Sequence, residues 1–418
     1  MVRSLSFLVF LLPALAGAEE VAVPPEAGAL IMAIENAEAG DTLRLGENAY
    51  YEGAIEVSIP LTILGNGATI DGQNTGSVIT VTSEDVTLRG LTIIGSGSGG
   101  DGLDAGITLS KTAHRAVVEG NRVLGNLVGI DVHGAENVLI SGNIIEGRQD
   151  QRMNDRGNGI YVWNAPGARV IGNDVRYGRD GVFVNVSRDN EFIGNRFRDL
   201  RFAVHYMYAN DSVVSGNISE GNHLGFAIMY SDNVRIEGNY SLNDRDHGIM
   251  MNYTNNGEVL NNTIRQGGEK CVFIYNAHRN TLSGNVFEGC QIGIHFTAGS
   301  ERNEIFGNAF LGNRTQAKYV GSKWVEWSFE GVGNYWSEQS AFDLDGDGIA
   351  DSAHRPNDIM DQVLWSQPAA KSLLGSPAVQ LIRWSQSAFP SMLPGGVIDR
   401  APLMQPPAPE IPVWEEIQ

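Results

Sequence analysis

Apolar and polar residues alternate in this chain in short bursts that return at a fixed interval. A five-residue motif carries apolar side chains at its second and fourth places in turn after turn. Ile130 and Val132, Ile160 and Val162, Val182 and Val184, and Val204 and Tyr206 begin the series; Phe226 and Ile228, Ile249 and Met251, Val272 and Ile274, and Ile294 and Phe296 continue it. Strand side chains alternate in direction, so those two places share one inward face. A second apolar column reads Ile140, Val170, Phe192, Val214, Ile236, Val259, Leu282 and Ile305, each three residues before an Asn. That Asn mostly follows Gly. The pairs Gly120-Asn121, Gly142-Asn143, Gly172-Asn173, Gly194-Asn195, Gly216-Asn217 and Gly238-Asn239 are 22 residues apart, save one step of 30. Asn262, Asn285 and Asn308 follow at 23.

A short fixed period of strand-like sequence predicts a solenoid. The expected fold is all-β: a right-handed parallel β-helix of the pectin-lyase-like kind, with rungs of about 22 residues, two or three strands each. The Asn residues should stack as an inward ladder that bonds the backbone, with Gly supplying positive φ. At the N-terminal end a helix over about Glu26–Ala39 presents Ala29, Leu30, Ala33, Ile34 and Ala37 on one face. It should plug the open end of the coil ahead of strands at Thr42–Leu45 and Leu61–Leu64. The 30-residue step places a surplus loop at Arg148–Gly157, expected beside Tyr161 and Trp163.

The outward places, three and five, do not read as a solvated sheet. They are Asp131 and His133, Tyr161 and Trp163, Phe183 and Asn185, His205 and Met207, Ala227 and Met229, Met250 and Asn252, Phe273 and Tyr275, His295 and Thr297. Three explanations compete: a face covered by the C-terminal tail, an aromatic platform for sugars, or a soft-metal site. Thioether and imidazole suit Cu(I), which prefers soft ligands. His205 and Met207 share a strand and a side, Met229 lies one rung on in the Met207 column, and Met250 one further in the His205 column. These four are the Cu(I) candidates; Met251 points inward. His223, Asp246 and His247 cluster at a neighbouring turn, read as a solvated turn before a second site or access path.

Charge and length narrow the classes. The formal charge is −20, which disfavours nucleic acid and anionic lipid. Met1–Ala18 has a secretory signal pattern, with an apolar run from Leu5 to Leu15 and an Ala16-Gly17-Ala18 cleavage site. Two cysteines, Cys271 and Cys290, lie one rung apart but offset by about three residues, which favours buried inert thiols over a disulfide. A lyase or glycosidase would need clustered carboxylates on the stripe, where the outward places offer only Asp131. No nucleophile–His–acid set or phosphate-binding Gly loop stands out, so no catalytic residue is assigned.

Periodicity ends at Gly333-Asn334-Tyr335-Trp336-Ser337. Asp343-Leu344-Asp345-Gly346-Asp347-Gly348-Ile349-Ala350-Asp351 follows, with oxygen ligands at alternate places and Gly at the sharp turns. The spacing suits Ca²⁺, held by Asp343, Asp345, Asp347, Ile349 and Asp351. An EF-hand Glu is absent; the twelfth place is His354. Ser376-Pro377 reads as the cap and first residue of a short helix containing Val379, Leu381, Ile382 and Trp384.

These features together resemble the NosD family: the signal peptide, the Gly-Asn rungs, the Gly-Asn-Tyr-Trp-Ser run with its acidic loop, and the closing run from Pro394 to Met404. The resemblance implies a periplasmic, non-enzymatic copper-handling protein that docks on an ABC transporter, reaching the membrane only through the permease. It implies as partners the permease and its ATPase, a copper chaperone lipoprotein and nitrous oxide reductase, with Cu(I) as cargo. No family copper motif is carried over, so the ligand set rests on the stripe. The expected organisation is a signal peptide at 1–18, a cap and first rungs at 19–64, the coil at 65–334, a calcium-type loop at 335–362 and a docking extension at 363–418. A carbohydrate-binding or polysaccharide-cleaving β-helix is the alternative.

Overall fold

A computed structural model describes residues 18–99, 103–150, 152–297, 299–321, 323–389 and 395–414. The signal pattern therefore lies almost wholly outside the described residues. The chain winds as a right-handed parallel β-helix with three strands per rung. Sheet 1 has 13 strands, from Glu20–Val23 to Glu304–Phe306. Sheet 2 has 13, from Tyr50–Glu52 to Tyr335–Trp336, and sheet 3 has 12, from Ile55–Val57 to Thr315–Val320. Every strand pair between rungs is parallel and joins a strand to its counterpart on the next turn.

The two apolar columns fill the interior. Ile140, Val170, Phe192 and Val214 stand in sheet 1, Ile130, Val162, Val184 and Val204 in sheet 3, all fully buried. Place one of the sheet 3 motif must be small because a neighbouring rung crosses it closely. A Cβ on Gly181 would lie 2.4 Å from Phe197 and 2.5 Å from the Ala203 carbonyl.

The Asn residues form the ladder the spacing predicts, at the corner from sheet 1 to sheet 2. From Asn121 to Asn308, each backbone N–H donates to the Oδ1 of the Asn one rung on, at 2.9–3.1 Å. Each Nδ2 also donates to a carbonyl of an earlier rung, as Asn217 does to Phe192 and Asn285 to Val259, both at 2.8 Å. Buried amides are thus paired with one another along the axis, which removes the penalty of burying them.

The ends differ in detail from expectation. Helix α1 spans Ala29–Asn36, three residues shorter at each side than the periodicity suggests. Gly28 is left-handed at φ 75° and Ala37 is extended, so the backbone leaves the helix on both sides of the apolar face. Ala29, Leu30 and Ile34 are buried against the first rungs, as a plug requires. A strand not anticipated, Glu20–Val23, precedes the helix and starts sheet 1 by pairing with Thr42–Leu45.

The cysteines are joined. Cys271 and Cys290 form a disulfide with Cα atoms 5.7 Å apart, contrary to the expectation of free thiols. Counting residues along the coil misjudged them because the chain turns between sheets 2 and 3 at Gly289 (φ 70°). That turn swings Cys290 across the corner to face Cys271 of the preceding sheet 3 strand. The surplus loop is held at both of its ends. Arg148 donates to the carbonyls of Ser96, Gly97 and Gly125, and Arg156 to that of Tyr177, which pins the loop to the corner where sheet 3 strands begin. Trp163, at the far end of its strand, stacks on His133, with ring centres 4.3 Å apart.

The last part of the chain returns to the coil. Gly396–Ile398 pairs with Trp324–Glu326, and Leu403 donates its N–H to the carbonyl of Asn334. Asp399 is fully buried and takes the position of a further ladder residue. Its Oδ2 accepts from the Asn334 N–H at 2.7 Å and from Trp336 Nε1 at 2.8 Å. Burial pushes its carboxyl upward against those hydrogen bonds. Of the expected docking extension, then, residues 396–404 close the end of the coil. Helices α2 (Ile359–Ser366) and α3 (Pro377–Ala388) lie in the segment between. Ser376 caps α3 by accepting from the Val379 N–H at 3.3 Å. Leu381, Trp384 and Phe389 are well exposed, while Val379 is buried. Among the described residues no helix is long and apolar enough to cross a membrane.

Candidate metal site on the outer face of the third sheet

The register of sheet 3 brings all four sulfur and imidazole candidates to one surface. Met207 is directly paired with Met229, and His205 with Ala227, which in turn pairs with Met250. Neighbouring strands are about 4.8 Å apart. The thioethers of Met207 and Met229 are therefore side by side, and His205 and Met250 flank them with one rung between. That intervening place is Ala227, the one small residue in a column that otherwise reads Asp131, Tyr161, Phe183, His205, Met250, Phe273 and His295. The methyl group there lies between His205 and Met250 in the column, with Met207 and Met229 two places along the same strands. Ala227 itself is fully covered by its neighbours.

His205 faces outward but is only 8 % exposed, because aromatic rings enclose it. Phe183 stacks on it at 4.7 Å and Phe202 meets it edge-on at 4.9 Å. Its Nδ1 lies 3.1 Å from Asp180 Oδ2. Burial alone would raise the Asp180 carboxyl, but hydrogen bonds from His205 and Arg201 outweigh it and hold the group below its ordinary value. Arg201 Nε donates to Asp180 Oδ1 at 2.8 Å, and its guanidinium lies over Phe202. An ionised carboxylate has no proton to offer, so Nδ1 is the donor in this contact and Nε2 is the ring nitrogen that Asp180 does not engage. This is the carboxylate–imidazole arrangement that orients a metal-ligating His.

Asp180 was not among the residues singled out from sequence. It precedes Gly181, outside the five-place motif, and the irregular step at Gly181 turns it to the outer face. An Asp one place before the motif glycine, with Arg201 one rung on, was the available signal. Asp131, the other outer acid, is 4 % exposed. Burial pushes it up to about 7. His223 and Asp246 form an exposed ion pair at 3.0 Å, compatible with the solvated turn expected of them.

Beyond Met207 and Met229, three exposed tyrosines line the sheet's edge. Tyr208 stacks on Tyr230 at 5.2 Å and Tyr230 on Tyr253 at 5.1 Å. Their faces are engaged with one another, which leaves edges and hydroxyls for solvent and little face area for stacking a sugar ring.

The acidic loop folds as a compact turn. Carboxylate oxygens of Asp343, Asp345 and Asp347 come within 4.8 Å of one another. Asp343 accepts from the Gly346 and Gly348 N–H groups, and Asp351 from that of Leu344 at 2.8 Å. The loop is tied to the closing run by an antiparallel bridge from Ile349 to Leu403 and by the Met404 N–H on the Gly348 carbonyl.

Comparison with known proteins meets this geometry at several levels. A family model described as "Periplasmic copper-binding protein (NosD)" matches residues 141–341. The "Probable ABC transporter binding protein NosD" of Stutzerimonas stutzeri is 37% identical over 387 residues, 88% of this chain and 89% of that one. The chain belongs to the NosD family. A second NosD of the same description, from Pseudomonas aeruginosa, is 40% identical over 357 residues, 82% of this chain and 83% of that protein. By name these relatives are binding proteins. The matched span of the NosD model contains the whole His/Met cluster, Asp180 and Arg201, and ends at residue 341, before Asp343. Among solved structures, the A-module of the Azotobacter vinelandii mannuronan C-5 epimerase AlgE6 superposes with a TM-score of 0.59 at 15% identity, covering 70% of this chain and 91% of that one. An exopolygalacturonase from Thermotoga maritima gives 0.52 at 12%, covering 72% and 92%. At such identities the likeness is one of fold.

Proposed function

We propose that this NosD-family chain is a copper-handling adaptor of the periplasm. It takes Cu(I) from a lipoprotein chaperone and helps deliver it to nitrous oxide reductase, while docked on an ABC permease and its ATPase. The observation that carries the reading is the convergence of His205, Met207, Met229 and Met250 around Ala227. Three thioethers and one imidazole make a soft donor set that favours Cu(I) over harder divalent ions. Asp180 holds His205 with Nε2 available, and the surrounding rings keep the imidazole from free solvent. Such a set binds without enclosing the ion on every side, as a transfer site needs.

The test is a Cu(I) competition titration of the variant with His205, Met207, Met229 and Met250 all changed to Ala. Affinity should fall at least about 100-fold, or roughly 2.7 kcal/mol; an unchanged affinity removes the site. Docking is assigned to the exposed side of α3. Cutting the chain after Asp361 would also remove Asp399 and the closing strand, so loss of binding would be uninterpretable. Leu381→Glu with Phe389→Glu leaves the closure intact and should abolish co-purification with the permease; full retention refutes the assignment. Ca²⁺ is proposed for the acidic loop, where it would fix Ile349 against Leu403.

A further inference from the structure

One rung past Met250 the outer face of sheet 3 changes character. Lys270 pairs in register with His247, and His295 pairs with Phe273 on one side and Lys318 on the other. Phe273 is the hub. Lys270 Nζ lies 5.0 Å from its ring centre, His295 stacks obliquely at 5.0 Å and His247 meets it edge-on at 5.5 Å. Lys318 reaches the same neighbourhood from the last rung, with Nζ 5.9 Å from the ring centre of Trp365 on α2.

Four nitrogen-bearing side chains thus converge where the outward places, Met250 to Val320, include no acid at all. In a chain of net charge −20 this is a marked local reversal. Glu269 pairs with Lys270 at 3.2 Å but is itself 66% exposed at the rim. Asp246, beside His247 in sequence, is engaged by His223. The Lys270 side chain is only 15% exposed. Nδ1 of His295 is buried and finds no hydrogen-bond partner among the described residues, whereas the His247 ring has the backbone of Asp246 beside it. Partly buried ammonium groups and unpaired ring nitrogens are costly unless something answers them.

We propose that this patch binds a small anion, an inorganic oxyanion or a carboxylate, between Lys270, Lys318 and the imidazoles of His247 and His295. A second copper station is the less suitable occupant, since two ammonium groups repel a cation. The proton balance agrees. Burial first, then the two lysines, pushes the His295 imidazole down to about 4, so the ring is neutral at physiological pH and offers an N–H without adding charge. Burial and Lys270 likewise lower Lys318. A bound anion would reverse both trends by answering the cationic field. The proposal does not depend on the copper reading, although the patch begins beside Met250 and the two ligands would share one wall.

The experiment follows the His side-chain resonances of the full chain during titration with inorganic phosphate and, separately, acetate, at constant ionic strength. Saturable shifts of His247 and His295 are expected with at least one probe. Phosphate alone would mark an oxyanion site, acetate alone a carboxylate site, and both a general small-anion site. In Lys270→Gln/Lys318→Gln the apparent affinity should fall about tenfold or more. If that double variant loses its fold by circular dichroism, Lys318→Gln alone, on the last rung, should still weaken binding severalfold. Absence of a saturable shift with either probe, or a folded variant that responds like the parent, overturns the proposal.

Discussion

The two faces of sheet 3 are drawn from the same strands, yet they behave as different texts. Inward, one rung could nearly replace the next: Val184, Tyr206, Ile228, Met251 and Ile274 occupy one column and are all fully buried. Outward, the third-place column changes at every rung. Phe183 gives way to His205, then Ala227, Met250 and Phe273. The inner face is redundant because every rung must satisfy the same packing and the same Asn ladder. The outer face is particular because nothing about winding the coil dictates it. Stability and ligand handling are therefore separable here by direction of side chain, within single strands.

That separation can be broken at several points. The largest stability effect is expected from Asn285→Ala. It strands the backbone N–H of Asn262 and the Val259 carbonyl, and removes the link to Asn308. The bond from Asn262 Nδ2 to Asn285 Oδ1 goes as well; with four buried hydrogen bonds lost, the chain should be destabilised by about 3–5 kcal/mol in chemical denaturation, while Cu(I) affinity of the folded fraction stays put. A joint loss would show that the two faces are coupled.

A smaller, pH-dependent effect is expected at Asp244, fully buried beside Ser219, Ser241 and Asn222. Burial raises its carboxyl to about 7 against those hydrogen bonds. A raised carboxyl keeps its proton in the folded chain after the unfolded chain has released it. Stability is thus lost as pH climbs from about 4 to about 7. Asn cannot titrate, so Asp244→Asn should gain on the parent across that window, by about 2 kcal/mol between pH 5 and pH 7. Parallel stability curves for the two proteins would contradict the assignment.

The smallest effect sharpens the outer side. Ala227→Leu crowds the space between His205 and Met250 without replacing any proposed ligand. Cu(I) affinity of the folded chain should drop about tenfold, or 1.4 kcal/mol. Retained affinity alongside a disabled quadruple Ala variant would mean that the sulfurs bind the ion without using the space over Ala227.

Much of this was legible from sequence because the signal was repeated. The apolar columns, the Asn ladder, the strand at Thr42–Leu45 and the cap of α3 each follow from local spacing. The pairing of Met207 with Met229 followed from the rung length alone. What escaped depends on contacts that no period encodes. Cys271 and Cys290 meet across a corner, where residue offsets do not measure distance. Asp180 turns outward through one irregular step beside a glycine. Asp399 returns to Asn334 from 65 residues away, as a solitary Asp in a run without rungs.

That single carboxylate has a consequence for how the chain is made. Synthesis proceeds from the N-terminus, and each turn can settle on the one before it as it emerges. The final turn, however, waits with bare amide groups until a residue near the very end arrives to cover them. A message cut short after residue 334 would yield a nearly complete spiral with an unprotected rim, able to recruit strands from other molecules. Such products should clump rather than merely lose activity, so residues 396–404 act as the stopper of the whole assembly line.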